Sequence, residues 1–211
     1  IASCGLLELA HRLWGGVEGW FSEKEFNIVV PGETDEGGLA HLVDTLSRCE
    51  ITGLTDVERE ERKQLETERR EAKKQGIQFP PESDRRRKDL GEQARAGSIH
   101  IAEPFGMTLD WWQKGDDEAT PKTWAGLQEL HKIARAAQDS LEGVQELTEL
   151  MDFARVLLMP KEYGQGKSAS VEPFYFDARR FSHSLDVGFS LDVQSAQTIA
   201  HPAVELLCLI G

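Results

Sequence analysis

The stretch SIHIAEPFGMTLDWW, at residues 98–112, decides the fold class of this chain. It predicts a β-hairpin with its turn at residues 103–106, because a proline and a glycine separate two short apolar runs. Adjacent residues on a strand face opposite ways. We therefore expect one of Trp111 and Trp112 to lie in the core, and the other to meet a partner or a base.

Helices and further strands flank this hairpin on both sides. Upstream, the periodicity predicts a helix at Gly5–Trp14, a strand or hairpin at Trp20–Val30 and a helix at Leu39–Cys49. Downstream, it predicts a helix from Thr120 to about Leu141, a helix at Val144–Leu158, strands at Val171–Phe176 and Leu185–Phe189, and an apolar helix from Pro202. Strands at both ends with helices inserted between them indicate the α+β class, with mixed strands and hairpins.

A segment almost free of apolar side chains, DVEREERKQLETERREAKK, occupies residues 56–74. Thr55 and Glu58 have the spacing of a capping box at a helix N-terminus. Acids and bases spaced four apart add roughly 0.2–0.5 kcal/mol of helix stability per pair, as in Glu58–Arg62 and Glu66–Arg70. We predict a solvated, protruding helix. The alternative is an arm that rests on a partner subunit or on nucleic acid.

The next segment, Gly76 to Gly97, contains two prolines and a run of four basic residues, Arg85, Arg86, Arg87 and Lys88. We predict a solvated or poorly ordered loop, with phosphate contact as its functional alternative. The chain then divides into an N-terminal α/β part at 1–54, a charged helix with a flexible basic loop at 55–97, and an α+β part at 98–211. Because it opens on Ile1 and ends on an apolar run, we expect one domain of a longer chain.

The charge and cysteine content narrow the possible functions. The formal net charge of −13 has the wrong sign for a protein that wraps nucleic acid nonspecifically. Exposed charges more than ~8 Å apart are largely screened at physiological salt, so a local basic loop can still bind phosphate. An odd cysteine count without a CxxC pair argues against a disulfide framework and a zinc site. We predict buried free thiols at Cys4, Cys49 and Cys208, in a reducing cytoplasm. No apolar run approaches the ~20 residues that span a bilayer, so we expect no membrane partner.

Nothing in the chain predicts a catalytic centre. The six histidines lack metal-ligand spacing, and there is no GxSxG elbow. We therefore expect no enzyme activity, no metal and no cofactor. The GKS at residues 166–168 resembles the end of the phosphate-binding pattern G-x-x-x-x-G-K-[ST]. That pattern requires glycine where Lys161 stands, and the flanking segments are predicted helical and then extended. A nucleotide-binding P-loop-like enzyme is the alternative.

A glycine-rich, locally basic loop at residues 159–170 is the candidate nucleic-acid site. Gly164 and Gly166 allow backbone N–H groups to approach a phosphate, which larger side chains would hinder. The donors and stacking groups that we assign to nucleic acid are Lys161, Tyr163, Gln165, Lys167, Ser168 and Ser170. Arg179 and Arg180 are candidates for backbone phosphate, unless they pair with neighbouring aspartates. A solvent-exposed connection is the alternative interpretation of the loop.

Three blocks of sequence carry a resemblance to a known family. They are ASCGLLELAHRLWGGVEGWF at residues 2–21, EPFGMTLDWW at 103–112 and FYFDARRFSHSLDVGFSLD at 174–192. Together they resemble the large-subunit family of type I CRISPR effector complexes (Cascade), most closely the subtype I-U form. An Asn-Pro-Gly stretch that typically precedes the first block in this family is absent.

The resemblance implies a non-catalytic subunit of an RNA-guided antiviral complex. Family members lie beside the 5′ end of the crRNA, probe the protospacer-adjacent motif in double-stranded target DNA, and help open the duplex. They also present a surface to a helicase–nuclease. The guide RNA reads most of the target sequence, so the protein reads only the short motif. The implied partners are crRNA, target DNA, the Cascade backbone subunits and the helicase–nuclease. A purely structural adaptor is a further alternative.

Overall fold

The computed structural model describes residues 1–23, 25–32, 38–113, 129–142, 150–151, 171, 174, 176 and 200–211. Its helices are α1 (Ala2–Trp14), α2 (Gly38–Arg48), α3 (Asp56–Gln75), α4 (Pro81–Ala96), α5 (Leu130–Gln138) and α6 (Pro202–Ile210). Its strands are β1 (Glu18–Ser22), β2 (Glu25–Val29), β3 (Ile51–Thr52), β4 (Ile99–Ile101) and β5 (Met107–Leu109).

The strands form two antiparallel sheets, which together with the helices confirm the α+β class. Strands β1 and β2 pair as a hairpin, and β3, β4 and β5 form a sheet in that order. In the second sheet Ile51 lies opposite Ile101, and Ile99 lies opposite Leu109. The predicted hairpin at residues 98–112 is therefore confirmed. Helices α3 and α4 occupy the connection between the neighbouring strands β3 and β4.

The core forms where the inner face of the three-stranded sheet meets the apolar faces of α1, α2, α5 and α6. Along β4 and β5 the apolar residues point inward, and His100 and Thr108 point outward. His100 Nδ1 and Thr108 Oγ1 lie 3.1 Å apart on that outer face. This alternation is what a sheet with one buried face requires.

Helices α1 and α6 pack more closely than ordinary side chains would allow. A methyl group on Gly5 would overlap the backbone carbonyl of Leu207 in α6, whose carbon lies 2.8 Å from the added atom. Leu9 and Leu206 are fully buried beside this contact. Gly5 therefore sets the distance between the two helices.

The predicted loop at Gly76–Gly97 is wrong over most of its length, because α4 spans Pro81–Ala96. Pro81 occupies the first turn, where its missing N–H costs nothing. Leu90 and Ala94, one turn apart, are buried. These two apolar side chains, with the buried Gly91 between them, are too few to reveal a helical period in the sequence, yet they are enough to dock the helix.

The other departures are local. Trp111 and Trp112 lie in a 3-10 turn rather than on a strand, although one is half-exposed at 50% and the other buried at 4%, as predicted. No cysteine forms a disulfide. Cys49 is buried as predicted, whereas Cys208 is only half-buried. Cys4 is exposed, which contradicts the predicted burial, because it lies on the outer side of α1.

Several predicted elements lie largely outside the described residues. The helix from Thr120 is seen from Leu130, as α5 and a following 3-10 turn. The helix at Val144–Leu158 is described only at Leu150 and Met151, both helical. Of the two late strands, only Val171, Phe174 and Phe176 are described, and none of these three is in a strand.

Candidate nucleic-acid interface

The glycine-rich loop lies outside the described residues. Its six candidate residues are therefore not described, and neither are the GKS sequence at 166–168 and the two arginines that follow. The roles assigned to Lys161, Tyr163, Gln165, Lys167, Ser168, Ser170, Arg179 and Arg180 stay predictions.

The basic run lies on the first half of α4, and most of its charge is engaged with carboxylates. Arg86 binds both carboxylate oxygens of Glu61, at 2.9 and 2.7 Å. Arg87 binds Glu66 and Asp84, each at 2.9 Å, and Lys88 binds Asp84 at 2.9 Å. The hydrogen bond from Arg86 lowers the pKa of Glu61. These pairs compete with any phosphate for the same cations.

Arg85 is the exception in the run. Its side chain is exposed, and within the described part of the chain it makes no ion pair. The role that we predicted for Arg85, Arg86, Arg87 and Lys88 in phosphate contact stays a prediction, with Arg85 the most available of the four.

Helices α3 and α4 form an antiparallel helical hairpin, which we call the charged hairpin (residues 56–96). The capping box is confirmed: Thr55 Oγ1 accepts the N–H of Glu58 at 3.3 Å, and Thr55 N–H donates to Glu58 Oε2 at 3.0 Å. At the other end of α3, Gly76 adopts the left-handed conformation that closes a helix, with φ 68°. Helix α3 is confirmed, and it has no buried residue.

The two predicted i,i+4 pairs of α3 are replaced by contacts outside the helix, although Asp56–Arg59 and Glu60–Lys63 pair along it. Glu66 binds Arg87 of α4 instead of Arg70. Glu58 binds Thr55 and accepts a hydrogen bond from Gln93 at 3.2 Å. The side chain of Arg62 pairs with Glu129, which lies outside both helices of the hairpin. A neighbouring helix thus competes successfully with helical neighbours, whose pairing contributes only a few tenths of a kcal/mol.

A buried carboxylate fastens the base of the charged hairpin to α5. Glu129 is only 8% exposed and lies 2.9 Å from Arg62, 3.1 Å from Lys132 and 3.6 Å from His131. Burial raises its pKa, but the charges of Lys132 and Arg62 outweigh burial and hold the pKa below its ordinary value. This cluster could not be predicted from the sequence, because Arg62 and Glu129 are far apart along the chain.

His131 is packed beside Glu129 and against Gly53. A side chain at Gly53 would overlap the imidazole ring, so the glycine leaves the space that the ring fills. Burial lowers the pKa of His131 to about 4, although Glu129 opposes the shift. The ring is therefore neutral at physiological pH, and Arg62 and Lys132 are the cations that balance Glu129.

An open pocket of about 420 Å³ lies at the far end of the charged hairpin, which we call the tip pocket. Its lining combines cations with apolar side chains: Glu66, Arg69, Arg70, Lys73, Ile77 and Phe79. The single carboxylate, Glu66, is already bound to Arg87. Arg69 has one long pair, 3.8 Å from Asp84. Arg70 and Lys73 make no ion pair with any residue that the structure describes.

The tip pocket was not predicted from the sequence, because the i,i+4 spacing assigned Glu66 to Arg70. That pairing would have neutralised Arg70, whereas the pairing with Arg87 leaves its guanidinium available. The available sign was the pair of apolar residues, Ile77 and Phe79, directly after a helix-ending glycine. Ile77 is 59% exposed and lines the tip pocket together with Phe79.

Described residues of the three blocks lie in one part of the molecule, and those of the third block are Phe174 and Phe176 alone. Arg12, in the first block, donates to the backbone carbonyls of Phe105 and Gly106, in the second, at 3.0 and 3.2 Å. Trp111, at the end of the second block, has its ring centre 6.3 Å from that of Phe176, in the third. Phe176 N–H also donates to the buried Glu205 of α6 at 3.2 Å.

Comparison with protein-family models, with curated proteins and with solved structures gave no match for this chain. Among the residues that the structure describes, no helix has the length and apolar composition needed to cross a membrane. The described side chains also contain no group of three or more histidine, cysteine or acidic residues arranged to hold a metal ion.

Proposed function

We propose that this chain is a non-catalytic large subunit of an RNA-guided, Cascade-like CRISPR complex. In this role it contacts target DNA for recognition of the protospacer-adjacent motif and duplex opening, and it helps to recruit a helicase–nuclease. The observation that carries the proposal is the meeting of the three family-like blocks. If the blocks form one surface shared across the family, their described residues must lie together in the fold, as these do.

The exposed aromatic surface of the first block supports a place in an assembly. Trp20 and Phe21, at the end of this block, are exposed on opposite faces of the β1–β2 hairpin, and Val29 of the paired strand is exposed on the same face as Trp20. An isolated two-stranded hairpin is marginally stable in water, and exposed large apolar side chains close together are typical of contact surfaces. A neighbouring subunit would remove these side chains from water.

Association with the ribonucleoprotein is the first expected result. We expect the chain, co-expressed with crRNA and the Cascade backbone subunits, to elute with them in one complex that contains RNA. A parallel preparation without the crRNA serves as the control. If the chain elutes alone when the other components assemble, the proposal is wrong.

The glycine-rich loop supplies a second expected result, measured as target-DNA binding by the assembled complex. We expect Lys167→Ala to reduce the slope of log affinity against log salt by about 0.9, the value for one phosphate contact. We expect Gln165→Ala to reduce the preference for the correct motif, by about 1–3 kcal/mol if it reads a base edge.

The matched control for the loop is Arg48→Ala, which removes one exposed cation on α2 that is paired with Asp44. Its slope and motif preference should equal those of the unsubstituted complex. Equal affinity and equal motif preference in both loop variants would remove the loop from the proposed interface.

A structural adaptor is the second candidate function, and one observation favours it. Three of the four cations in the basic run are engaged with carboxylates of the same hairpin. A surface neutralised in this way suits contact with protein. Salt dependence separates the two functions. If these cations contact DNA, replacing them changes the slope of log affinity against log salt, whereas for an adaptor the slope stays the same.

A further inference from the structure

We propose that the tip pocket binds one nucleotide of a single-stranded nucleic acid, with its phosphate on Arg70 and Lys73 and its base on Phe79. The site deepens the proposed function, on which it rests, because it adds a contact with a single strand. The sequence offered nucleic acid only as an alternative partner for the segments at residues 56–74 and 76–97, whereas the fold brings Arg70, Lys73 and Phe79 together in one pocket.

The charge of the pocket carries the first step. Arg70 and Lys73 are three residues apart, so they lie on the same face of α3 and line the same cavity. Neither makes an ion pair with a described residue, and the only carboxylate in the lining is held by Arg87. The pocket therefore presents cations that a phosphate could neutralise without breaking an existing ion pair between described residues.

The apolar part of the pocket carries the second step. Ile77 and Phe79 line the same cavity as the cations. Every base has a π-face that can stack on an aromatic ring, and Arg contributes further through cation–π contact. A phosphate alone gives no reason for an aromatic ring, whereas a nucleotide uses both parts of the pocket.

The size and openness of the pocket select the form of the nucleic acid. A volume of about 420 Å³ lies near the lower end of the ~300–1,000 Å³ found for small-molecule sites, which suits one nucleotide rather than several. In a duplex both faces of a base are covered by its neighbours, so the base cannot stack on Phe79. Unstacked bases of single strands are the ones that proteins stack on aromatic side chains.

The experiment measures binding of the full chain to fluorescently labelled 12-mers of oligo-dT and oligo-U by anisotropy, over a range of salt concentrations. We expect the double variant Arg70→Ala/Lys73→Ala to reduce the salt slope by about 1.4, because each phosphate contact on a single strand contributes about 0.7. We expect Phe79→Ala to weaken binding roughly tenfold without changing the slope. Phe79→Leu, which keeps an apolar side chain at this half-buried position, should also weaken binding.

The matched control is Arg85→Ala. Arg85 is an exposed cation of the same hairpin that makes no ion pair with described residues but does not line the pocket. We expect this variant to bind as the unsubstituted chain does. An equal loss in Arg85→Ala and in Arg70→Ala would mean that charge acts diffusely over the hairpin, and would overturn the assignment.

Three other outcomes would also overturn it. The first is absence of oligonucleotide binding by the unsubstituted chain. The second is equal dependence on Phe79 for a 12-base-pair duplex. The third is tight binding of an oligo-glutamate peptide, lost in the Arg70→Ala/Lys73→Ala variant, when the oligonucleotides do not bind. Oligonucleotide binding is measured on the chain alone, whereas the proposed function is tested by co-elution with the other subunits. Failure of one can therefore be told from failure of the other.

Discussion

Gly5→Ala is expected to lower the free energy of unfolding by about 3 kcal/mol, because the added methyl group meets a backbone carbonyl that cannot rotate away. Overpacking against flexible side chains costs roughly 1–3 kcal/mol. Here the obstacle is Leu207 of α6, with the backbone N of Gly211 at 3.1 Å from the new atom. Relief requires α1 and α6 to separate, which would open the core around Leu9 and Leu206.

The measurement is urea unfolding followed by circular dichroism. The midpoint should fall with little change in the m-value, and the melting temperature should fall by roughly 6–12 °C. The control is Gly38→Ala, at the start of α2, where a methyl group would have nothing within 4 Å. There we expect no loss, and a gain of up to about 1 kcal/mol, since alanine is the better helix former. Equal midpoints for both variants would contradict the close packing of α1 and α6.

Stability is expected to fall by up to about 3 kcal/mol as the pH is lowered from 6.5 to about 4, because of His131. In the unfolded chain this histidine takes up a proton near its ordinary pKa of about 6.5, whereas burial lowers its folded pKa to about 4. Between these values the unfolded state binds more protons, so stability increases with pH across this window. Below about pH 4 both states are protonated at this residue and its effect no longer grows.

Glu129 acts in the same direction at lower pH. Its pKa is held below the ordinary value mainly because Lys132 and Arg62 outweigh burial. Its carboxylate therefore stabilises the fold above the pKa of the unfolded chain, and this contribution is lost as the pH falls through the folded pKa. The two residues are distinguished by the pH range in which each affects stability, since the effect of His131 begins nearer to neutral pH than that of Glu129.

The test compares urea unfolding at several pH values for the unsubstituted chain and for His131→Asn, which cannot titrate in this range. Replacing His131 should flatten the pH dependence of the free energy of unfolding between pH 6.5 and 4. The dependence below pH 4 should remain. His100→Ala, at an exposed histidine on the outer face of β4, should retain the full dependence. A variant at residue 131 with an unchanged pH profile would show that the buried ring is not the cause.

The elements with a strong local signal were predictable from the sequence. Helix α3 has a capping box and a helix-ending glycine, and the β4–β5 hairpin has a turn signal between alternating apolar residues. Helix α4 was not predictable, because only Leu90 and Ala94 mark its buried side. Its prolines were interpreted as loop signals, although Pro81 begins the helix.

The candidate sites depend on contacts between distant residues, which is why the sequence showed little of them. A sequence reveals which charges are four residues apart, but it does not reveal that Glu66 binds Arg87 instead of Arg70. The buried carboxylate of Glu129 likewise depends on Arg62, more than sixty residues away. The resemblance blocks were recognisable one by one, whereas the bonds from Arg12 to the second block required the fold.

The pairing of charges across the two helices has a mechanical consequence. Single helices bend, but here Arg86 and Arg87 join α4 to α3 through Glu61 and Glu66. At 1.5 Å per residue, the part of α3 from Asp56 to Arg70 is about 20 Å long. The hairpin is thus a braced spacer with a fixed reach. It holds the tip pocket about 20 Å from the first residue of α3, so a ligand in that pocket is met away from the core of the molecule.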